Sequence, residues 1–327
     1  MASVLVCPHL LRNQPGRFRS LLVDAGFEMI DPTGADALGP EDLARWLPRA
    51  DAILAGLERF TPELFAVAPR LRAIARVGVG YDLIDLAAAR ERGVVVTITP
   101  GVNQESVAEQ TFALLLALTR RVVAGDRAMQ SGGWDRRVVA PLRGQTLGLV
   151  GFGRIGRAVA QRALAFNMRV IAHDIALVDE ADPLPQVRRV GLDELLELAD
   201  VVSLHAPLTE ATRNMVDARF LARMRPGARL INTARGGLVV ESDLREALES
   251  GHLAGAGLDV LNQEPPEAGS VLLGAPNLVL SPHVGGLDSK SLADMAESAA
   301  SCLVALREGR WPAANVVDAG LREGWKW

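Results

Sequence analysis

A glycine-rich segment near the middle of the chain constrains the fold more than any other feature. In Thr146–Arg157, a short apolar run leads directly into the pattern Gly151-x-Gly153-x-x-Gly156, and an amphipathic segment follows. This is the order strand, tight turn, helix. The first glycine permits the turn, the second lets backbone approach a pyrophosphate, and the third lets helix and strand pack closely. The pattern predicts a βαβ unit that binds a dinucleotide at the N-terminus of the helix over 154–166.

The identity of the dinucleotide is indicated by an acid further along the chain. Asp174 ends the next predicted strand, about 20 residues beyond the glycines, where an acidic side chain accepts hydrogen bonds from the adenosine ribose hydroxyls. Such a carboxylate repels a 2′-phosphate, so we expect NAD and not NADP. Arg154, at the start of the helix, can add a charge-assisted hydrogen bond to a phosphate.

The rest of the chain alternates short apolar, β-branched runs with amphipathic segments, which is typical of βαβ units and a parallel sheet. Two such series meet near residue 99, and each has a long apolar helix near its end, at 106–120 and 290–307. The predicted strands lie at 3–6, 52–54, 73–77 and 93–97 in the first series, and at 147–150, 168–174, 200–207, 228–234, 254–260 and 277–283 in the second. The sequence therefore predicts an α/β fold with two doubly wound parallel-sheet domains.

Composition excludes several other classes. The chain has 327 residues, 49% of them hydrophobic, and a net charge of −4, so we expect two domains with substantial cores and no basic nucleic-acid surface. Its longest apolar run, near Thr111–Thr119, is too short to span a membrane, and the N-terminus lacks the basic region of a signal peptide. Cys7 and Cys302 lie far apart and predict no disulfide, which favours a cytoplasmic location. No His, Cys and carboxylate grouping has metal-ligand spacing.

Further segments occur in a characteristic order around the glycine motif. They are Val77-Gly-Val-Gly-Tyr-Asp82, Pro100-Gly-Val-Asn103, Leu204-His-Ala-Pro-Leu-Thr209, Asn232-Thr-Ala-Arg-Gly-Gly237, Gly257-Leu-Asp-Val260, Glu264-Pro-Pro266 and Ser281-Pro-His-Val-Gly-Gly286. Together they resemble the D-isomer-specific 2-hydroxyacid dehydrogenases, a family that includes phosphoglycerate dehydrogenase, glyoxylate reductase and hydroxypyruvate reductase. The resemblance covers nearly the whole chain and is closest in pattern to the phosphoglycerate dehydrogenase-like branch.

The resemblance implies a domain organisation. A discontinuous substrate domain would comprise residues 1–98 and 286–327, and a Rossmann-like NAD-binding domain would comprise 99–285, with the substrate in a cleft between them. The substrate domain would be flavodoxin-like. The family is typically homodimeric, and 121–137 would form the arm that contacts the partner.

Three residues have the chemistry that reduction of a 2-oxo acid requires. Arg235 has a planar, permanently charged guanidinium that can bind a carboxylate through two hydrogen bonds and polarise a carbonyl. His283 can exchange protons near neutrality, and Glu264 can orient its ring and favour its protonated form. In the family, the matching Arg, Glu and His have these catalytic roles.

The resemblance also assigns binding residues, each with a structural alternative. Asp259 would contact the nicotinamide carboxamide or be a turn acid, and His205 would line the cofactor site or pack at a strand end. The turn Val77, Gly78, Val79 and Gly80 would offer backbone N–H groups to the substrate carboxylate or be a turn without function. The full set expected around NAD is Gly151, Gly153, Arg154, Ile155, Gly156, Asp174, His205, Thr233, Ala234, Asp259 and Gly286.

The substrate is left open by one departure from the family. Phosphoglycerate dehydrogenases usually have an Arg-Ser pair after the third strand of the substrate domain, whereas Ala55 and Gly56 stand here. The leading interpretation is a phosphoglycerate dehydrogenase-like, NAD-dependent oxidoreductase acting on a D-2-hydroxy acid or its 2-oxo acid. The alternatives are a glyoxylate or hydroxypyruvate reductase and, in another class, a non-catalytic NAD-sensing protein similar to the C-terminal-binding-protein corepressors.

Overall fold

Two parallel β-sheets organise the described part of the chain, one in each of two units. The computed structural model describes residues 1–34, 38–175 and 184–327. Unit 1 comprises Met1–Asn103 with Leu287–Trp327, and unit 2 comprises Gln104–Gly286. Both units have an α/β fold with helices on the two faces of the sheet, as the sequence predicts.

Unit 1 begins with strands and helices in alternation around a five-stranded sheet. The strand order is β2-β1-β3-β4-β5, the order of flavodoxin-like folds, and every pairing is parallel. The elements are β1 (Ala2–Val6), α1 (Arg17–Asp24), β2 (Phe27–Ile30), α2 (Pro40–Trp46), β3 (Ala52–Ala55), α3 (Pro62–Ala66), β4 (Ala73–Arg76), α4 (Leu86–Glu91) and β5 (Val95–Thr97).

Both faces of this sheet are buried, which explains the continuous apolar runs of its strands. Side chains alternate between the two faces, so Leu5 and Ile53 pack in one cluster while Val4 and Leu54 pack in another. Burial on both sides stabilises a parallel sheet that has few polar positions of its own.

Unit 2 contains a seven-stranded sheet with the order β12-β11-β10-β9-β6-β7-β8, again parallel throughout. The order reverses between β6 and β9, and in such sheets ligands bind at the carboxyl ends of the strands beside this point. The elements are α5 (Gln104–Thr119), α6 (Val122–Gln130), β6 (Thr146–Val150), α7 (Arg154–Ala165), β7 (Arg169–His173), β8 (Arg188–Arg189), α8 (Leu192–Leu198), β9 (Val201–Leu204), α9 (Ala218–Arg223), β10 (Arg229–Asn232), α10 (Glu241–Glu249), β11 (Gly255–Leu258) and β12 (Leu278–Leu280).

The last long helix, α11 (Ser289–Arg307), belongs to unit 1. Asp288 caps its N-terminus by accepting the backbone N–H groups of Lys290 and Ser291. Its small and apolar residues, including Ala296 and Leu303, pack into the cluster on one face of the five-stranded sheet. Among the described residues, no helix combines the length and apolar character that crossing a bilayer requires.

The structure corrects the predicted elements at several points. It adds β2, where Glu28 is exposed and hides the strand pattern, and β8, which is too short to be predicted. The strand predicted from residue 93 begins at Val95, because Gly93 has a φ of +67° and ends α4. Helix α5 begins at Gln104, two residues before the predicted start, and Glu109 and Ala113 on it are exposed.

The C-terminal tryptophans fix the end of the chain to unit 1. The indole Nε1 of Trp325 donates to the carbonyl of Gly93 at 2.8 Å, and its ring packs edge-on against Trp311 and Trp327. Trp327 in turn contacts Phe27 edge-on at 5.4 Å between ring centroids. The tail therefore packs against the core of this unit.

This contact predicts a graded loss of stability. Trp325→Phe should keep most of the ring packing and lose the hydrogen bond, lowering the free energy of unfolding by about 1 kcal/mol. Trp325→Ala should cost about 2–4 kcal/mol because the ring packing is lost as well. Urea unfolding followed by circular dichroism checks both values, with Lys326→Ala, an exposed neighbour, as the control. Equal stability of all three variants would show that the tail is not part of the folded unit.

Candidate active site

The glycine motif forms a turn that only glycine can build at two of its three positions. Gly151 has a φ of +96°, and a Cβ there would lie 2.6 Å from the backbone carbon of His205. A Cβ on Gly156 would lie 2.4 Å from the carbonyl oxygen of Gly151. Gly153, in contrast, has no atom within 4 Å of its Cβ position and stands at the N-terminus of α7. The first and third glycines therefore serve packing, and the second leaves space at a helix N-terminus for a phosphate group.

Asp174 joins the end of β7 to this turn. Its Oδ2 accepts the backbone N–H of Phe152 at 2.7 Å. Two arginines flank the Phe152 ring, with the Arg189 guanidinium carbon 3.8 Å and that of Arg157 5.3 Å from the centroid. The sequence reasoning missed Arg189, because strand β8 has no apolar pattern. Asp174 thus helps to hold the turn, and its predicted contact with the adenosine ribose stays a prediction.

His205 follows β9 beside the glycine turn. Its backbone N–H donates to the carbonyl of Val150 at 2.7 Å, and Nε2 lies 2.9 Å from Oγ of Ser203. Burial lowers the pKa of His205 to about 3, so the ring is neutral near pH 7. The side chain can therefore pack against a cofactor, but it cannot act as a proton donor at that pH.

Arg235 lies in the loop that follows β10, and a buried asparagine shapes this loop. The side chain of Asn232 donates to the carbonyl of Arg235 at 2.8 Å and accepts the N–H of Ala234 at 3.0 Å. The Arg235 guanidinium donates from Nη1 to the carbonyl of Ala234 at 2.7 Å. Thr233, 8% exposed, begins the same loop. Asn232 thus supports this loop through the backbone of Ala234 and Arg235.

Gly236 brings this loop against the segment that follows β11. A Cβ at Gly236 would lie 2.0 Å from the carbonyl carbon of Leu261, so no other residue fits there. The N–H of Leu261 donates to Oε1 of Glu264 at 2.8 Å. The loops that carry Arg235 and Glu264 are therefore neighbours, as expected for residues that follow adjacent strands.

His283 and Glu264 form a direct pair. Nδ1 of His283 lies 2.6 Å from Oε2 of Glu264, and both side chains are partly buried, at 23% and 29% exposure. Because the carboxylate accepts, Nδ1 is the donor, which leaves Nε2 as the position for a transferable proton. The two residues are 19 positions apart, and the adjacent ends of β11 and β12 bring them together.

Asp259 is the anchor of the His283 loop. Its carboxylate is 2% exposed, and it accepts Oγ–H of Ser281 at 2.6 Å and the backbone N–H groups of Val284 at 3.1 Å and Gly285 at 2.8 Å. Its backbone carbonyl accepts the N–H of His283 at 2.8 Å. These bonds give Asp259 a structural role whether or not it also contacts the nicotinamide. Gly286 is half-buried and ends unit 2.

In unit 1, the predicted substrate-binding turn after β4 has fewer available backbone N–H groups than expected. The N–H of Val77 donates to the carbonyl of Ala55 at 2.8 Å, and the N–H of Gly78 donates to Oγ1 of Thr99 at 3.0 Å. The expectation that all four N–H groups can face a ligand is therefore wrong for these two. Within the described residues, the N–H groups of Val79 and Gly80 have no protein acceptor.

A buried carboxylate lies where the family's Arg-Ser pair is missing. Glu58 is 9% exposed, and its Oε2 accepts the N–H of Gly56 at 2.5 Å. Burial raises the pKa of the Glu58 carboxyl, while Arg76 and Arg12 oppose that rise. The sequence reasoning did not select Glu58, because a single acid in a loop gives no pattern.

Metal-binding groups and reactive thiols were also sought among the described residues. No group of three or more His, Cys, Asp or Glu side chains within residues 1–34, 38–175 and 184–327 is arranged to hold a metal ion. Cys7 and Cys302 are buried free thiols, and burial raises the pKa of Cys302 to about 11.

Comparison with known proteins agrees with this geometry. Residues 112–285 match the family model described as "D-isomer specific 2-hydroxyacid dehydrogenase, NAD binding domain". The chain is 44% identical to a glyoxylate reductase of Korarchaeum cryptofilum over 78% of this chain and 79% of that protein. It is 39% identical to a hydroxypyruvate reductase of Thermotoga maritima over 77% of this chain and 83% of that protein. The crystal structure of the TT0316 protein from Thermus thermophilus superposes with a TM-score of 0.87 at 44% identity, covering 97% of this chain and 100% of that one.

The chain belongs to the D-isomer-specific 2-hydroxyacid dehydrogenase family. It is an NAD-dependent oxidoreductase of that family, and the predicted fold class, enzyme class and cofactor are confirmed. The residues of the glycine turn fit NAD, because Gly153 leaves the space that a pyrophosphate needs.

The different surroundings of the glycines predict different effects of the same substitution. Gly153→Ala should leave the melting temperature unchanged and weaken NADH binding at least tenfold, because the new methyl group occupies the phosphate position. Gly156→Ala should lower the melting temperature by several degrees, because its Cβ meets backbone. Calorimetry of NADH binding and thermal unfolding separate the two effects. Normal NADH affinity in Gly153→Ala would place the pyrophosphate elsewhere.

Proposed function

We propose that this protein reduces a small, unphosphorylated 2-oxo acid of the glyoxylate or hydroxypyruvate class with NADH. The observation that carries the proposal is the 2.6 Å pair of His283 and Glu264. Glu264 follows β11, which lies between β12, the strand before His283, and β10, the strand before Arg235. A proton donor with a fixed ring and a cation for a carboxylate are the two groups that this reaction needs from the protein.

The proposed roles follow from the donors and charges of these residues. NADH, when bound, supplies the hydride that forms the new C–H bond at the carbonyl carbon of the substrate. Arg235 binds the substrate carboxylate and polarises the carbonyl. His283 delivers the proton from Nε2 to the carbonyl oxygen as the C–O double bond becomes a single bond. Glu264 holds Nδ1 and stabilises the charged imidazolium before that transfer.

The proposed cofactor contacts surround the same strand ends. Thr233, Ala234, Asp259 and Gly286 would face the nicotinamide half, and His205 would pack beside the glycine turn. The adenosine half would be held by Gly151, Gly153, Arg154, Ile155, Gly156 and Asp174.

The substrate class is argued from unit 1. Ala55 and Gly56 supply no cation, and the N–H of Gly56 already donates to Oε2 of Glu58, so it is not available to a phosphate group placed there. We propose that Val79 and Gly80 donate their backbone N–H groups to the substrate carboxylate. The similarity to a glyoxylate reductase and a hydroxypyruvate reductase supports the same substrate class.

We also propose a cytoplasmic homodimer. The predicted arm carries large apolar side chains in solvent, since Trp134 is 75% exposed and no residue of α6 is buried. Burying these side chains against a second copy would remove them from water. Light scattering should then give a mass of twice 34.9 kDa.

The test of the function is a comparison of substrates by the absorbance of NADH at 340 nm. Glyoxylate and hydroxypyruvate should give the highest kcat/KM, far above that of 3-phosphohydroxypyruvate. A large preference for 3-phosphohydroxypyruvate would contradict the substrate class and favour a phosphoglycerate dehydrogenase. Binding of NADH without turnover of any 2-oxo acid would favour an NAD-sensing protein.

The His283–Glu264 pair predicts a specific loss of activity. Glu264→Gln keeps the size of the side chain and removes the carboxylate that accepts from Nδ1, so the ring loses the partner that orients it. This change should lower kcat/KM about tenfold or more, while the Kd for NADH changes less than twofold. Glu267→Gln, a change in the same loop, should keep the wild-type kcat/KM. Wild-type kcat/KM in Glu264→Gln would remove this pair from the mechanism.

A further inference from the structure

Helix α5 places polar side chains against the loops that carry the proposed catalytic residues. Nε2 of Gln110 donates to Oγ of Ser281 at 2.8 Å, two residues before His283. Oγ1 of Thr111 lies 3.0 Å from Oγ1 of Thr233, two residues before Arg235. Because the buried part of this helix is otherwise largely apolar, these two contacts stand out as directed polar bonds.

The Gln110 contact fixes the direction of a chain of hydrogen bonds. An amide NH₂ group can only donate, so Oγ of Ser281 accepts from Gln110. The Ser281 hydroxyl then directs its own proton to Oδ1 of Asp259 at 2.6 Å. Nε2 of Gln110 is 3.5 Å from the same Oδ1, too far for a strong direct bond. Gln110 therefore acts on Asp259 mainly through Ser281.

The bonds to Asp259 matter because the His283 backbone is strained. His283 has a backbone φ of +53°, a conformation that residues other than glycine seldom adopt. Asp259 binds the loop before this residue at Ser281 and after it at Val284 and Gly285. A loop held on both sides can keep a strained residue in one orientation.

We propose that Gln110 is a positioning residue for His283, acting through Ser281 and Asp259. Its amide directs the Ser281 hydroxyl, which completes the set of bonds that Asp259 makes to the loop. The position of the imidazole relative to Glu264 and to the substrate then depends on a side chain of a different element. The proposal rests on the proposed function, in which His283 is the proton donor.

A double-mutant cycle tests this route of action. Gln110→Met keeps the length of the side chain and removes the donor. It should lower kcat about tenfold, since small displacements of a catalytic group are costly, while the Kd for NADH changes less than twofold. In a Ser281→Ala background, Gln110→Met should cause no further loss. Glu109→Gln, an exposed change one residue away on the same helix, is the control and should keep the wild-type kcat.

A second variant keeps the test valid if Gln110→Met fails to fold. The carboxyl of Gln110→Glu can donate to Ser281 only when it is protonated. Relative to wild type, the activity of Gln110→Glu should therefore recover at low pH and fall steeply as pH rises.

Two results would overturn the inference: wild-type kcat in Gln110→Met, or equal losses from this substitution in the presence and absence of Ser281. Failure of the proposed function looks different. If Glu264→Gln lowers kcat/KM and Gln110→Met changes nothing, only the role of Gln110 is wrong. If Glu264→Gln keeps the wild-type kcat/KM, the His283–Glu264 pair is not part of the mechanism and the proposed function itself fails.

Discussion

The carboxylate of Asp259 is the interaction on which the candidate site depends. It is buried at the end of β11, and its hydrogen bonds reach both sides of His283. Loss of these partners would leave a buried carboxylate unpaired and lower the free energy of unfolding by several kcal/mol. The loop and the carboxylate therefore stabilise each other. Glu264, five residues later on the same connection, then meets the ring that this loop presents. The segment after β11 thus supplies both Asp259, which supports the His283 loop, and Glu264, which accepts from the ring.

The parallel sheet explains why residues so distant in sequence meet. The carboxyl ends of β10, β11 and β12 lie side by side, and Arg235, Glu264 and His283 each follow one of them. Gly236 lets the first two loops touch, because any side chain there would overlap with Leu261. The glycine turn follows β6 at the same edge of the sheet, where we propose that the dinucleotide binds. Strand order, and not proximity in sequence, therefore brings these three residues and the glycine turn to one edge of the sheet.

Much of this arrangement could be predicted from the sequence. The buried strands of a parallel sheet have continuous apolar runs, so β6, β7 and β9 to β12 were all predictable. The glycine motif was predictable because few other structures need glycines at this spacing. The strands β2 and β8 were not predictable, because β2 has an exposed Glu28 and β8 consists of two arginines. The different surroundings of the three glycines were predictable from their order, since the first forms the turn, the second faces open space and the third packs against backbone.

The supports of the site could not be predicted in the same way. Gln110 acts through a hydrogen bond to a distant segment, whereas Glu58 and Asn232 bond to residues two or three positions away. Single polar bonds of either kind leave no periodic pattern in a single sequence. The turn after β4 shows the same limit, because its glycines predict a binding turn but not that Thr99 already accepts from Gly78. Backbone hydrogen bonding has to be seen before the available donors can be counted.

Single-turnover kinetics of His283→Asn would show whether His283 donates the proton. Asparagine tolerates the positive φ of this position and cannot supply a proton at neutral pH. With saturating NADH and glyoxylate, we expect NADH to bind with near wild-type affinity while the rate of NADH oxidation falls about 10²–10⁴-fold. A wild-type rate of NADH oxidation in this variant would mean that another group donates the proton.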